Sequence, residues 1–408
     1  MTSGDLVKCE YGGKSRKGTF ITVRNGMAVI KLDSGYNIGI SPESCTCIGQ
    51  LEAEPLKRTE LVQNRDLPEL SIVSTGGTIA SRIDYRTGSV TSQSDAAAIV
   101  QSIPELATVG NYSTKSLYTI LSENMTPAIW KELAGAVYEE IRRGVAGVIV
   151  THGTDTMAYS AAALSFMIDT PVPIVFVGSQ RSADRPSSDN AMNAACAAKA
   201  ATSDLGEVSV VMHAGTSDDT CSIHRGTRVR KMHTSRRDAF RSIGIPPVGS
   251  VTYPALEVKL EKYAVRRNVC QAALHSDIDE KCSLLYFYPG LPADILDSYK
   301  DCHGLILAGT GLGHVSTSLI AGLRRIIDNG TIVMMTSQCF GGRVCDRVYD
   351  TGRDLLEAGV VEGADMLPEV ALVKMMWVLG NESNPERAKE LLRTNLKGEC
   401  MRRSAHGL

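Results

Sequence analysis

Two short apolar segments, each ending in a glycine turn that carries threonines, constrain the fold of this chain more than any other feature. The first is Ser71–Ser81, Ser-Ile-Val-Ser-Thr-Gly-Gly-Thr-Ile-Ala-Ser, and the second is Val148–Thr156, Val-Ile-Val-Thr-His-Gly-Thr-Asp-Thr. Glycines allow a sharp turn at the end of a strand. Because open α/β sheets bind ligands at the carboxyl ends of their strands, we expect Thr78 and Thr154 to share a hydroxyl-rich pocket.

Strand and helix patterns alternate from residue 70 onward. The candidate strands are Leu70–Ser74, Val145–Thr151, Ile174–Val177, Val208–His213, Ser283–Phe287, Gly304–Leu307 and Thr331–Thr336. The candidate helices are Thr126–Gly144, Asp189–Thr202, Ser316–Asp328 and Pro385–Leu396. Such alternation predicts an α/β fold with mostly parallel sheets covered by helices on both faces.

The first 50 residues follow another pattern, with turn signals at 13–18, 24–26 and 33–35 between short strands. This spacing predicts a small all-β, barrel-like domain. A polar stretch containing two prolines follows and predicts a linker. The predicted organisation is a β domain (1–50), a linker (51–69), a larger α/β domain with the active site (70–262), a second linker (263–281) and a smaller α/β domain (282–408).

Composition excludes several classes of protein. The 408 residues are 43% hydrophobic and 22% charged, with a net charge of −2, so no overall field favours nucleic acid or anionic membranes. The amino terminus has no apolar signal core, and no apolar run approaches the roughly 18 residues of a membrane span. The 11 dispersed cysteines are typical of reduced thiols. We therefore expect a cytoplasmic protein that does not involve a membrane.

Three other motifs predict little chemistry. The Thr-Gly-Gly-Thr turn lacks the lysine and the spacing of a P-loop. In Gly309-Thr-Gly-Leu-Gly313-His, His314 stands where a dinucleotide fingerprint needs glycine, so we expect a plain strand-to-helix loop. Cys45 and Cys47 have no second pair at zinc spacing, and His152 is interpreted as a structural hydrogen-bonding group. No metal site is predicted.

A basic run lies between Arg225 and Arg241, with seven lysines and arginines. These side chains could contact RNA phosphates, or they could be solvated or neutralise charge near a site. Only Phe240 supplies an aromatic ring within the run, which disfavours a single-strand stacking groove.

The remaining candidate is a catalytic site that uses threonine hydroxyls. Threonine is a poor nucleophile until a neighbouring group removes its proton. Thr78 and Thr154 lie on glycine turns, Asp155 is adjacent, and Lys231 supplies an amine. Burial would favour the neutral lysine that a base requires, whereas Asp155 would favour the charged form. From these spacings alone, an active site and a pair of ordinary structural turns are equally good interpretations.

The two turns, Thr75–Ser81 and Thr151–Met157, closely resemble the two signature motifs of the L-asparaginase/glutaminase family. The resemblance extends over about residues 70–408 and implies that family's two-domain α/β fold. It also implies a set of roles: Thr78 as nucleophile, Thr154, Asp155 and Lys231 as a second catalytic cluster, Tyr85 as a lid tyrosine that assists the nucleophile, Ser122 and Glu123 as ligands of the α-carboxylate and α-amine of the substrate, and Gly77 and Gly153 as the turns that contact it.

Two further stretches, Ile30–Ile40 and Thr336–Val344, resemble the D-subunit family of archaeal glutamyl-tRNA(Gln) amidotransferases. That resemblance implies a glutaminase that releases ammonia from L-glutamine for a partner, the E subunit of the same amidotransferase. The partner would bind Glu-tRNA(Gln) and activate its glutamyl ester with ATP and Mg, so no cofactor is expected in this chain. Family precedent further implies a homodimer within a heterotetramer.

Two alternatives stay open at this point. One is a free-standing L-asparaginase/glutaminase, and the other is a non-catalytic module that binds an amino acid. Glutamine and asparagine differ by one methylene, which binding alone separates by only about 1–3 kcal/mol. The resemblance, and not the chemistry of the pocket, therefore favours glutamine as the substrate.

Overall fold

The computed structural model shows three β-sheet units along the chain. It describes residues 1–32, 36–50, 64–76, 81–84, 89–92, 100, 103–182 and 187–403. All statements below concern these residues.

The amino-terminal unit is one antiparallel sheet. Its strands are β1 (Asp5–Tyr11), β2 (Lys14–Arg24), β3 (Met27–Leu32), β4 (Asn37–Ile40) and β5 (Cys45–Gln50), in the order β4-β3-β2-β1-β5. Asn25 and Gly26 have φ of 51° and 75°, as a two-residue hairpin turn between β2 and β3 requires. Inward-facing side chains, among them Val7, Phe20 and Ile30, form a small separate core. The prediction of an all-β amino-terminal unit is confirmed.

The second unit is built on a sheet of eight strands. Its elements in chain order are β6 (Glu69–Gly76), β7 (Ser81–Asp84), β8 (Ser89–Ser92), β9 (Asn111–Ile120), α1 (Pro127–Arg142), β10 (Gly147–Thr151), α2 (Met157–Met167), β11 (Ile168–Asp169), β12 (Ile174–Val177), α3 (Asn190–Ala201), β13 (Val208–His213), β14 (Thr220–Arg225), β15 (Val229–Lys231), β16 (Phe240–Ser242), β17 (Gly249–Thr252), β18 (Val258–Leu260) and β19 (Ala273–Leu274). The order in the sheet is β18-β17-β14-β13-β12-β10-β6-β9. The smaller pairs β7–β8, β11–β19 and β15–β16 lie outside it.

Strands β9, β6, β10, β12 and β13 are parallel neighbours, so their carboxyl ends meet at one edge. Helices α1 and α2 contribute to the core on one face, and α3 contributes to the core on the other. The Thr126 side chain accepts a hydrogen bond from the Ile129 N–H and caps α1, a role that threonine commonly has at this position. The eight-stranded sheet is thus covered on both faces.

The third unit is a fully parallel sheet with the order β20-β21-β22-β23. Its elements are β20 (Cys282–Tyr286), β21 (Gly304–Gly309), α4 (Ile320–Asp328), β22 (Ile332–Ser337), α5 (Asp350–Glu357), β23 (Val361–Glu362), α6 (Pro368–Asn381) and α7 (Pro385–Arg393). Helix α4 belongs to the core on one face. Helix α6 belongs to the core on the other face, which it shares with α2 of the second unit. The two α/β units are therefore joined by a continuous apolar core.

The predicted parallel strands and helices are present with ends shifted by a few residues. Strand β9 and the antiparallel strands β14, β17 and β18 were not predicted from the sequence. Polar residues interrupt each of these strands, so their apolar pattern is weak. Helices α2 and α6 were not predicted either, because they are buried on nearly all sides and lack an amphipathic period.

None of the helices in the described ranges is long and apolar enough to cross a membrane.

Candidate active site

Polar side chains converge where four adjacent parallel strands of the larger sheet end. Ser74 of β6 lies opposite Thr151 of β10, and the Thr151 hydroxyl donates to the Ser74 hydroxyl at 3.0 Å. The Thr75 hydroxyl donates to the Thr151 carbonyl, also at 3.0 Å. These buried bonds tie the ends of β6 and β10 together, which fixes the starting points of both predicted glycine turns.

Lys231 lies at the centre of the predicted second cluster. Its Nζ donates to Thr154 Oγ1 at 2.9 Å and to Asp155 Oδ1 at 2.7 Å. Thr154 is buried, the Lys231 side chain is only 14% exposed, and that of Asp155 is 69% exposed. Lys231 lies 76 positions beyond Asp155 in the sequence, and the structure brings the three predicted residues into direct contact.

Ser122 comes to the same edge from the end of β9. It begins a 3₁₀ turn, Ser122–Asn124, and is buried. A Cβ at Gly153 would lie 2.7 Å from the Ser122 Cβ and 2.8 Å from its Oγ, so only glycine fits between the two segments. The Thr156 hydroxyl donates to the Ser122 carbonyl at 2.7 Å. The neighbouring Glu123 is exposed and open to a ligand.

His152 supports this turn from within the protein and is fully buried. The Trp130 indole N–H donates to Ser160 Oγ at 2.9 Å, and Ser160 Oγ lies 2.8 Å from His152 Nε2. Nδ1 lies 2.7 Å from the Gly153 carbonyl, so Nδ1 carries a proton. Burial lowers the pKa of His152 to about 4. The interpretation of His152 as a structural hydrogen-bonding group is supported.

Three predicted site residues lie outside the described part of the chain: Gly77, Thr78 and Tyr85. Among the others, the structure brings Thr154, Asp155 and Lys231 together, and it places Ser122 against Gly153. Their assigned roles stay predictions.

Two residues that shape the turn were not predicted from the sequence. One is Thr156, whose hydroxyl holds the Ser122 segment. The other is Gly178, directly after β12, where a Cβ would lie 2.7 Å from the His152 carbonyl and 2.9 Å from Thr154 Cγ2. The position of Gly178 at the end of an apolar strand was the available signal.

Each cation of the run between Arg225 and Arg241 contacts a carboxylate. The pairs are Arg225–Glu207, Arg228–Asp365, Arg230–Glu369, Lys231–Asp155, Arg236–Asp238, Arg237–Asp218 and Arg241–Asp238. Phosphates would have to compete with these partners. Of the three interpretations left open, neutralisation of charge is better supported than contact with RNA phosphates.

The glycine-rich segment after β21 forms a tight loop, since the Thr310 N–H donates to the His314 carbonyl at 2.9 Å. It leads through a 3₁₀ turn into α4, as predicted for a strand-to-helix connection. Over the ranges that the structure describes, no three His, Cys, Asp or Glu side chains are grouped as a metal site would need.

Three family models match the chain. The asparaginase N-terminal model matches residues 69–264, the glutaminase/asparaginase C-terminal domain model matches 281–392, and the GatD N-terminal domain model matches 1–49. The solved thermostable L-asparaginase from Thermococcus kodakarensis is similar, with 30% identity and a TM-score of 0.73 over 82% of this chain and 99% of that one. L-asparaginase I from Vibrio cholerae has 26% identity and a TM-score of 0.71 over the same shares. The fold is that of the asparaginase-like class.

Two relatives are similar over nearly their whole length. The D subunit of the glutamyl-tRNA(Gln) amidotransferase of Methanosarcina mazei is 53% identical over 97% of both chains. That of Archaeoglobus fulgidus is 53% identical over 97% of this chain and 94% of its own. The chain belongs to the D-subunit family of glutamyl-tRNA(Gln) amidotransferases.

Proposed function

We propose that this protein is the glutaminase subunit of a tRNA-dependent amidotransferase. The observation that carries the catalytic part is the contact of Lys231 Nζ with Thr154 Oγ1 and Asp155 Oδ1, at 2.9 Å and 2.7 Å. A half-buried amine on a buried hydroxyl, at the edge of the sheet where substrates bind, is suited to move protons during acyl transfer. Membership of the D-subunit family supports the assignment to an amidotransferase.

The reaction we assign is the hydrolysis of the side-chain amide of L-glutamine. The Thr78 hydroxyl oxygen attacks the amide carbon while its proton passes to a base. The C–N bond then breaks, the nitrogen takes up a proton and leaves as ammonia, and a glutamyl ester remains on Thr78. Water attacks this ester, which releases glutamate and restores the threonine. The balance is glutamine plus water to glutamate plus ammonia.

The cluster around Lys231 supplies the proton transfers in this scheme. In this scheme Lys231 is the base, the Thr154 hydroxyl relays the proton to it, and Asp155 orients the amine and stabilises the ammonium that results. Gly77 and Gly153 offer backbone N–H groups to the oxyanion, where one lost donor typically costs about 2.7–4 kcal/mol. Ser122 binds the substrate α-carboxylate, Glu123 its ammonium group, and Tyr85 assists the nucleophile.

An amidotransferase also needs a component that accepts the released ammonia. We assign acceptance to a second component, the amidotransferase E subunit, which binds Glu-tRNA(Gln) and activates its glutamyl ester with ATP and Mg. We further propose a homodimer of this chain within a heterotetramer. No cofactor is assigned to this chain itself.

Ammonia release from glutamine by the purified chain, alone and with its co-purified partner, tests the proposal. Thr78→Ala and Thr154→Ala should each abolish turnover without unfolding the protein, while Thr108→Ala, at an exposed hydroxyl that bonds only locally, should not reduce it. Near-wild-type ammonia release by either of the first two variants would overturn the assignment.

A free-standing L-asparaginase is the second candidate, because two solved L-asparaginases share this fold. Strong asparagine hydrolysis that neither partner nor tRNA alters would favour it.

A further inference from the structure

The strand that carries Lys231 connects the two α/β units. Arg228, just before β15, places Nη2 3.1 Å from Asp365 Oδ2, and Arg230 places Nη1 3.0 Å and 2.8 Å from the Glu369 oxygens. Asp365 and Glu369 belong to the smaller unit. Successive residues of a strand face opposite sides, so Lys231 faces the other way, toward Thr154 of the larger unit.

β15 has little support from its own sheet. It is three residues long and, among the strands of the described ranges, pairs only with β16, also of three residues. A two-stranded ribbon of this length is not stable by itself. The position of Lys231 therefore depends on what holds the neighbouring side chains.

Arg230 is held from two sides by the smaller unit. The Glu369 side chain is 5% exposed and lies in the first turn of α6. The Arg230 guanidinium carbon lies 4.6 Å from the centroid of the Phe340 ring, a cation–π distance. Burial raises the pKa of Glu369 and Arg230 opposes that rise. A carboxylate this buried requires its partner, so the pair resists separation.

We propose that Arg230 is a positioning residue for the glutaminase reaction. Glu369 and Phe340 hold Arg230, and Arg230 fixes β15 so that Lys231 Nζ stays on the Thr154 hydroxyl. The smaller α/β unit thereby helps to position the catalytic lysine of the larger unit. This inference rests on the proposed function, since it concerns the role of Lys231.

Steady-state glutaminase kinetics of Arg230→Met and Glu369→Gln test the inference. A displacement of a catalytic group by up to about 1 Å greatly lowers the rate. We therefore expect kcat to fall about tenfold or more when Lys231 Nζ is no longer held in place. KM should stay within about twofold, since Ser122 and Gly153 lie on other elements. Arg230→Lys should recover most of kcat, because one arginine nitrogen makes both contacts to Glu369 and an ammonium can replace it. Phe340→Leu should lower kcat less.

A double variant separates positioning from stability. Replacing both partners of a buried ion pair by apolar residues is often neutral for stability, so Arg230→Met with Glu369→Leu should recover the melting temperature but not kcat. Glu207→Gln is the matched control. It disrupts the Arg225–Glu207 pair, which is also largely buried but lies wholly within the larger unit, and it should leave kcat unchanged.

The outcomes are distinguishable. If the wild-type protein releases no ammonia, the proposed function fails. If the wild type is active and Lys231→Met is inactive, but Arg230→Met and Glu369→Gln keep wild-type kcat, only the positioning role fails. Recovery of full kcat by the double variant would likewise overturn it.

Discussion

The Lys231 amine and the Thr154 hydroxyl lie 2.9 Å apart, although 77 residues separate them along the chain. Thr154 lies on the turn after β10, and Lys231 ends β15 outside the main sheet. A buried hydroxyl and an amine in direct contact can exchange a proton without diffusion, which is the basis of the first prediction.

Lys231→Met should lower kcat for glutamine hydrolysis about 10²- to 10⁴-fold, the usual range for removal of a general acid or base. Methionine keeps an unbranched apolar side chain of similar length, so the fold should persist. Lys115→Met removes an exposed lysine that pairs with the exposed Glu139 and should have no effect. Ammonia release near the wild-type rate in Lys231→Met would place the base elsewhere.

Gly153→Ala should damage substrate binding. The added Cβ would lie 2.7 Å from the Ser122 Cβ, so the 3₁₀ turn that carries Ser122 must move. We expect KM for glutamine to rise, with a stability loss of about 1–3 kcal/mol from overpacking. Gly135→Ala is the control, because a Cβ there meets nothing within 4 Å and alanine favours the helix. Kinetics and thermal unfolding measure both effects, and an unchanged KM in Gly153→Ala would contradict the prediction.

Acid should weaken the support of the active-site turn through His152. Its folded-state pKa, about 4, lies below the ordinary value of 6.5 because burial disfavours the charged ring. The stability that this neutral ring contributes is therefore complete above about pH 6.5 and is lost as the pH falls toward 4. His152→Gln should reduce the slope of unfolding free energy against pH in that window. His224, whose pKa burial lowers to about 3, should leave a residual slope. An unchanged slope would rule out this contribution of His152.

Asp346 should act in the opposite sense. Its carboxylate is fully buried and has no hydrogen-bond partner within the described residues. Burial, and then the charge of Glu362, raises its pKa to about 7. Because the pKa of Asp346 is higher in the folded than in the unfolded protein, folding is favoured when this carboxyl is protonated. The folded state therefore loses stability as the pH rises from about 4 to 7. Asp346→Asn should raise the melting temperature more at pH 8 than at pH 5, and the exposed Asp301→Asn should not. Equal shifts at both pH values would contradict this origin.

The sequence by itself determined most of the parallel strands, several of the helices between them and the small β unit. Local patterns decide these features: apolar runs of strand length, glycine at their ends, and caps such as Thr126. The same patterns placed Thr154, Asp155 and Lys231 among the site residues through their resemblance to known motifs. They did not predict α2 and α6, because helices buried on nearly all sides carry no amphipathic period.

Only the tertiary structure decided which partners these residues have. It joined Lys231 to Thr154, placed Ser122 against Gly153, and gave Arg228 and Arg230 carboxylates that lie elsewhere in the fold. Arg230 looked like one charge in a basic run until Glu369, 139 residues away, was found against it. Pairings over such separations depend on how the two α/β units pack, and side-chain spacing along the chain holds no record of that packing.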